Sequence, residues 1–138
     1  MITIVLVDDH KIVRQGLTIL LGDEPDIKIV GEAAKAEEAI ALVENLKPDI
    51  LICDLILNGL NGIDVTREVR KRVPETKVII LSMYNDSGFV SRAVREGASG
   101  WVLKGSGIDE LLTAIRQAVA GRTYFSPSVE RDNQDKGK

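Results

Sequence analysis

An acidic pair, Asp8 and Asp9, a third carboxylate, Asp54, a hydroxyl, Ser82, and an amine, Lys104, are the side chains whose types and spacing suggest chemistry in this sequence. Each position follows or ends a short apolar run. If those runs are parallel strands of one sheet, all of these groups converge on one sheet edge. Three carboxylates brought together repel one another, and neutral pH tolerates them only if a cation or protons offset the charge. Oxygen-only ligands favour Mg²⁺ or Mn²⁺, and Mg²⁺ typically keeps several waters while binding one or two carboxylates plus a substrate phosphate. Lys104 adds a mobile positive charge beside them. Taken singly, an Asp after a strand more often caps a helix or turn, Ser82 reads as a turn residue and Lys104 as a solvated charge. Capping needs alone do not explain the joint arrangement.

The elements that must position these groups are legible as alternating textures. Ile2 to Val7 is apolar at almost every position, the pattern of a strand covered on both faces, and Ile27 to Val30, Ile50 to Cys53, Val78 to Leu81 and Trp101 to Leu103 repeat it. Between them, apolar residues recur about a helical turn apart: Val13, Leu17, Leu20 and Leu21; Ala36, Ala39, Ile40 and Val43; Ile63, Val65, Val69 and Val73; Val90, Ala93 and Val94; Ile108, Leu111, Leu112, Ile115 and Val119. Gly22, Gly97 and Gly121 stand where helices should end, and Asp109 or Ser106 is expected to cap the last helix. Five βα units with short connections predict an α/β fold, a doubly wound parallel sheet with helices on both faces. From Ser126 the sequence turns polar, so 1–125 reads as one domain and 126–138 as a linker or tail.

Composition agrees with one folded domain: 138 residues, 44% apolar and 28% charged, with none of the biases of disordered, collagen-like or disulfide-built chains. The lone Cys53 has no internal disulfide partner, which points to a reducing cytoplasm. The apolar start runs into Asp8 and Asp9 too soon for a signal peptide core or a membrane span, so no membrane role is expected. A net charge of −3 argues against a nucleic-acid footprint within these residues.

The segments Val7-Asp8-Asp9-His10, Asp54-Leu55-Ile56-Leu57-Asn58-Gly59-Leu60-Asn61-Gly62, Leu81-Ser82 and Trp101-Val102-Leu103-Lys104-Gly105 resemble the signature of the receiver domain of bacterial two-component response regulators. Val13-Arg14-Gln15-Gly16-Leu17, Gly97-Ala98-Ser99-Gly100 and Gly121-Arg122-Thr123-Tyr124-Phe125-Ser126-Pro127 resemble the branch that carries a LuxR-type helix-turn-helix, a segment not found within these residues. The resemblance implies a flavodoxin-like five-stranded sheet in the order 2-1-3-4-5. It implies that Asp54 takes a phosphoryl group from a phosphohistidine on a sensor histidine kinase. Asp9, Asp54 and the backbone carbonyl of Ile56 would hold Mg²⁺, with Asp8 acting through water and Lys104 pairing with the phosphoryl oxygens. Ser82 and Trp101 would form the switch, Trp101 standing where the family more often has Tyr or Phe. The same resemblance implies a homodimer on phosphorylation, and DNA contact only through an output domain. Asn58 and Gly105 each occupy a place where the family often has Pro.

Other residues invite readings that the pattern does not favour. His10 lacks partners at metal-ligand spacing and reads as a helix-start residue. Cys53 sits in an apolar strand and reads as packed and inert. Arg67, Arg70, Lys71 and Arg72 alternate with acids and read as a solvated helix face. A dehalogenase-type hydrolase would need an acid two residues after its Asp nucleophile, where Ile56 stands. A flavin or nucleotide module would need a phosphate-cradling loop after the first strand, where Asp8 and Asp9 stand. A degenerate receiver acting by protein contact alone is the remaining alternative, and the intact Asp9, Asp54, Ser82 and Lys104 speak against it.

Overall fold

Every residue of Ile50–Asp54 (β3) is buried, which a strand achieves only with strands on both sides and helices on both faces. A computed structural model describes residues 1–57, 60–83 and 87–126; Asn58 and the tail from 127 to 138 lie outside the described residues. Around β3 the chain alternates Ile2–Val7 (β1), Lys11–Gly22 (α1), Ile27–Ala33 (β2) and Ala36–Leu46 (α2) before it. After it come Gly62–Arg72 (α3), Lys77–Ser82 (β4), Ser87–Arg95 (α4), Gly100–Leu103 (β5), a 3₁₀ turn at Lys104–Ser106, Ile108–Val119 (α5) and Tyr124–Phe125 (β6). All pairings are parallel, and the sheet order is β2-β1-β3-β4-β5-β6. The five-stranded order expected from the sequence is present, with β6 added beside β5. Two residues are too few to show a period, and backbone bonds rather than an apolar run hold β6 in place.

Alternation along the strands splits the core into two layers. Val5, Val7, Leu51, Cys53, Val78, Ile80 and Trp101 face the buried sides of α2, α3 and α4. Ile4, Leu6, Ile50, Ile52, Ile79, Leu81 and Val102 face α1 and α5. The central strand β3 thus spends both faces on packing, and its one polar side chain, Asp54, is left to its carboxyl end. Strand order reverses between β1 and β3, so the crevice that such sheets offer to ligands opens beside the ends of those strands.

Local signals set the helix ends with one correction. Asn61 accepts from the Asp64 amide at 2.9 Å while Asp64 accepts from the Asn61 amide at 3.3 Å, a reciprocal cap that starts α3. Neither Ser106 nor Asp109 caps α5; Gly107 holds that position without a side-chain bond, and Asp109 lies in the first turn, where its charge favours the positive helix end. The basic residues of α3 behave as a solvated face: Arg67 pairs with Asp64 at 3.0 Å, Lys71 with Glu68 at 3.8 Å, and Arg72 with Glu44 at 3.0 Å. Ser126, whose polar character grouped it with the tail, is buried against β5. No helix among the described residues is long and apolar enough to cross a membrane.

Gly62 joins fold to site. Its amide bonds the Leu55 carbonyl at 2.8 Å, and a Cβ there would stand 2.7 Å from the Asp54 carbonyl oxygen and 3.1 Å from the Leu55 Cα. Backbone cannot yield as a side-chain tip can. Gly62→Ala is therefore expected to cost roughly 1–3 kcal/mol in urea unfolding. Gly16→Ala, on the exposed face of α1 with open space around it, should instead stabilise by roughly 0.5–1 kcal/mol. A Gly62→Ala protein as stable as its parent would mean that the β3–α3 connection has slack the contacts deny.

Candidate functional site

Asp8 follows β1 and is fixed from both sides of its own peptide units. Its amide donates to the Ala33 carbonyl of β2 at 3.1 Å, and its carbonyl accepts from an Arg14 guanidinium nitrogen. The buried carboxylate then accepts the His10 amide on Oδ1 at 2.8 Å and faces Lys104 Nζ from Oδ2 at 3.2 Å. Both oxygens of Asp8 therefore already serve donors. Asp9 differs: its Oδ1 is buried and has no hydrogen-bond partner, although His10 Nδ1 lies 3.2 Å away without hydrogen-bond alignment.

Asp54 closes β3, buried at 4% exposure, with Oδ2 at 3.1 Å from Lys104 Nζ. Burial pushes its carboxyl above the ordinary carboxylate range; the hydrogen bond from Lys104 opposes this, the Asp8 charge adds to it, and the Ile56 amide opposes it weakly. Lys104 follows β5. Burial pulls its ammonium down, but Asp54 and Asp8 together outweigh that and hold it above its ordinary value. The amine is served by two carboxylates, at 3.1 Å from Asp54 and 3.2 Å from Asp8.

The structure thus brings Asp8, Asp9, Asp54 and Lys104 together. Ligand-capable atoms of Asp8, Asp9, His10 and Asp54 all lie within 4.8 Å of one another. Three carboxylates against one ammonium and an unfilled buried oxygen on Asp9 fit a divalent cation that prefers oxygen. His10 starts α1, as expected, with its side chain mostly exposed. Ser82 ends β4 and is buried; Asp54 pairs in register with Leu81, one residue before it, so hydroxyl and carboxylate share the sheet edge. Ile56 lies two residues past Asp54 with its side chain exposed. Trp101 pairs with Ile80 and is fully buried in the apolar layer on the α2–α4 side. Cys53 is fully buried and its thiol is pushed strongly up, so it is inert.

Arg14 is the site residue that sequence reasoning did not assign. Its side chain is mostly buried; besides holding the Asp8 carbonyl it lies 3.6 Å from Glu32 of β2, so one guanidinium ties α1 to the ends of β1 and β2. In the sequence it stands among α1 residues as an ordinary helix-surface charge. The pattern Val13-Arg14-Gln15-Gly16-Leu17 flagged it only as a family likeness.

Comparison with known proteins agrees with this geometry. Over 129 residues the chain is 36% identical to the "Response regulator GacA" of Pseudomonas aeruginosa, covering 94% of this chain and 60% of that protein. Over 128 residues it is 35% identical to the "Transcriptional regulatory protein DegU" of Brevibacillus brevis, covering 93% of this chain and 54% of that protein. The chain therefore spans a little over half the length of these curated relatives. A solved "two-component response regulator, LuxR family," from Aurantimonas sp. SI85-9A1 superposes with a TM-score of 0.93 at 40% identity, covering 97% of this chain and 96% of that one. Residues 4–116, which run from β1 into α5, match the family model described as "Response regulator receiver domain", so the chain belongs to that family.

Proposed function

We propose that Asp54 accepts a phosphoryl group from a phosphohistidine on a sensor histidine kinase. The observation that carries this reading is Lys104 Nζ, seated 3.1 Å from Asp54 and 3.2 Å from Asp8 beside an Asp9 oxygen with no donor. Phosphoryl transfer asks a protein mainly for positioning and charge neutralisation. An ionised Asp54 oxygen attacks phosphorus, the new O–P bond forms as the donor's P–N bond breaks, and the departing histidine nitrogen keeps the electron pair and takes a proton. Lys104 pairs with the phosphoryl oxygens, and the Ser82 hydroxyl donates to one of them.

Asp9, Asp54 and the Ile56 carbonyl would hold Mg²⁺, with Mn²⁺ as a substitute; Asp8, whose oxygens already serve His10 and Lys104, would act through water. When bound, Mg²⁺ neutralises charge on the phosphoryl oxygens. The chain turns over no separate substrate; its own phosphorylation and dephosphorylation are its chemistry. In the cytoplasm, phosphorylation would alter contacts of this domain, including a homodimer, and control transcription through a LuxR-type output domain that contacts DNA.

Acetyl phosphate with Mg²⁺ should add one phosphoryl group by intact mass, and Asp54→Asn should add none. Wild-type protein that stays unmodified under these conditions would favour the degenerate-receiver reading instead.

The charge shortage predicts a stability effect with a definite sign. Burial raises the folded-state carboxyl of Asp54 above its unfolded value, so this group favours folding when protonated and loses that contribution as pH rises past the ordinary carboxylate range. At pH 7 without divalent cations, Asp54→Asn should melt higher than wild type, by on the order of a few °C. Saturating Mg²⁺ should raise the wild-type value and narrow the gap, since a ligand of the folded state alone stabilises it. Differential scanning calorimetry decides; a lower-melting Asp54→Asn in EDTA would contradict the shortage.

Trp101, the single tryptophan, reports on the fifth strand. Phosphorylation or beryllofluoride with Mg²⁺ should shift its emission, Mg²⁺ alone less, and Asp54→Asn not at all. Flat emission at full phosphorylation would make Trp101 a static core residue.

A further inference from the structure

The edge of the sheet beside the site is closed by the chain's own short strand, and the closure is built rather than incidental. Tyr124 N–H donates to the Ser99 carbonyl at 2.9 Å, Ser126 N–H donates to the Trp101 carbonyl at 2.9 Å, and the Leu103 amide donates to Ser126 Oγ at 3.1 Å. Ser126 is 1% exposed, unusual for a serine at the end of a two-residue strand. Opposite Tyr124 stands Gly100, where a Cβ would lie 2.9 Å from the Tyr124 carbonyl oxygen, so the close approach of β6 depends on that glycine. Phe125 packs into the same apolar layer as Trp101, and Tyr124 into the opposite layer. Pro127, next in the sequence, has no backbone N–H to offer a ladder.

This strap grips β5 at the residue adjoining the site. Leu103, whose amide holds Ser126, is bonded in sequence to Lys104, whose amine bridges Asp54 and Asp8. At rest, two carboxylates clamp that amine and so fix the end of β5. A phosphoryl group on Asp54 removes its carboxylate charge and puts new anionic oxygens farther out, so Lys104 must reseat. The 3₁₀ turn that begins at Lys104 and the end of β5 are where that displacement is taken up.

We propose that Tyr124–Phe125–Ser126 is a phosphorylation-sensitive strap: it is latched to β5 through the Leu103–Ser126 bond at rest and loosens when Asp54 is phosphorylated, passing the state of the site to the chain that follows. This rests on Asp54 as the phosphoacceptor. Coupling of this kind is reciprocal, so loosening the strap favours the phosphorylated state in turn. A short edge strand held by few backbone bonds belongs to the least stable class of structure, the class from which switching segments come.

Amide hydrogen exchange on the full chain, resting and acetyl-phosphate-treated, tests this with intact mass measured on the same samples. In the phosphorylated protein the Tyr124, Ser126 and Leu103 amides should exchange about fivefold faster, the factor carried by the net loss of one hydrogen bond. The β3 amides should be unchanged. In Ser126→Ala, which keeps every residue of the acidic site, those strap amides should exchange fast already at rest and change less than about twofold on phosphorylation. Its affinity for beryllofluoride with Mg²⁺, by titration calorimetry, should rise severalfold. Strap amides that stay unchanged or slow down in fully phosphorylated protein overturn the proposal and leave the phosphoacceptor reading standing. A Ser126→Ala protein that responds like wild type removes the latch and overturns it too. Absence of any mass increase overturns the phosphoacceptor reading, and the strap with it.

Discussion

The site depends on a shortage: three carboxylates gather where one amine reaches two of them. Lys104 reaches Asp54 and Asp8 at 3.1 and 3.2 Å, and Asp9 is left with a buried oxygen that nothing donates to. The amine, served twice, holds its proton more tightly in spite of its burial, while burial, with the Asp8 charge adding to it, makes Asp54 hold its own more tightly against the opposing pull of Lys104. A pocket in that condition gains by admitting positive charge. That is also the condition for receiving an anionic phosphoryl group together with a cation without closing around either beforehand.

Such a pocket persists because the sheet leaves it no alternative. Both faces of β3 are committed to apolar packing, Gly62 abuts the Asp54 main chain, and Asp8 is gripped by its amide, its carbonyl and its side chain at once. Rigid elements over-determine the positions of groups that would otherwise separate, and the apolar layers offset what the crowded charges cost. Arg14 fits the same logic. It adds no ligand, but its guanidinium holds the loop bearing Asp8 and Asp9 against β2 from outside the cluster.

The parts of this molecule written in periodicity were legible in the sequence. Largely apolar runs at Ile2, Ile27, Ile50, Val78 and Trp101 became parallel strands because strands covered by helices need apolar side chains on both faces, and the strand-end position of Asp8, Asp9, Asp54 and Lys104 followed from that. What periodicity does not encode stayed hidden. The short strand Tyr124–Phe125 has no period, and its evidence lies across the sheet, in a glycine at position 100 and a buried serine at 126. Arg14 looks like any helical surface charge until the β1 and β2 ends are placed beside it. For α5, Ser106 and Asp109 both have capping chemistry, but the turn geometry gives the position to Gly107.

The neighbours of each site residue also decide which of them can move. Asp54 lies on a strand paired on both sides, by β1 and β4, and buried at every position, so a displacement there would disturb both apolar layers at once. Lys104 follows a four-residue strand whose outer neighbour is only two residues long and whose next element is a single 3₁₀ turn. Adding or removing charge at Asp54 therefore sets a fixed carboxyl against a yielding amine. Strain between them is relieved on the side of the fifth strand, because that is where fewest contacts oppose it. On the proposed reading, a receiver built this way would signal without moving Asp54: the counter-charge would move, and the edge of the sheet with it.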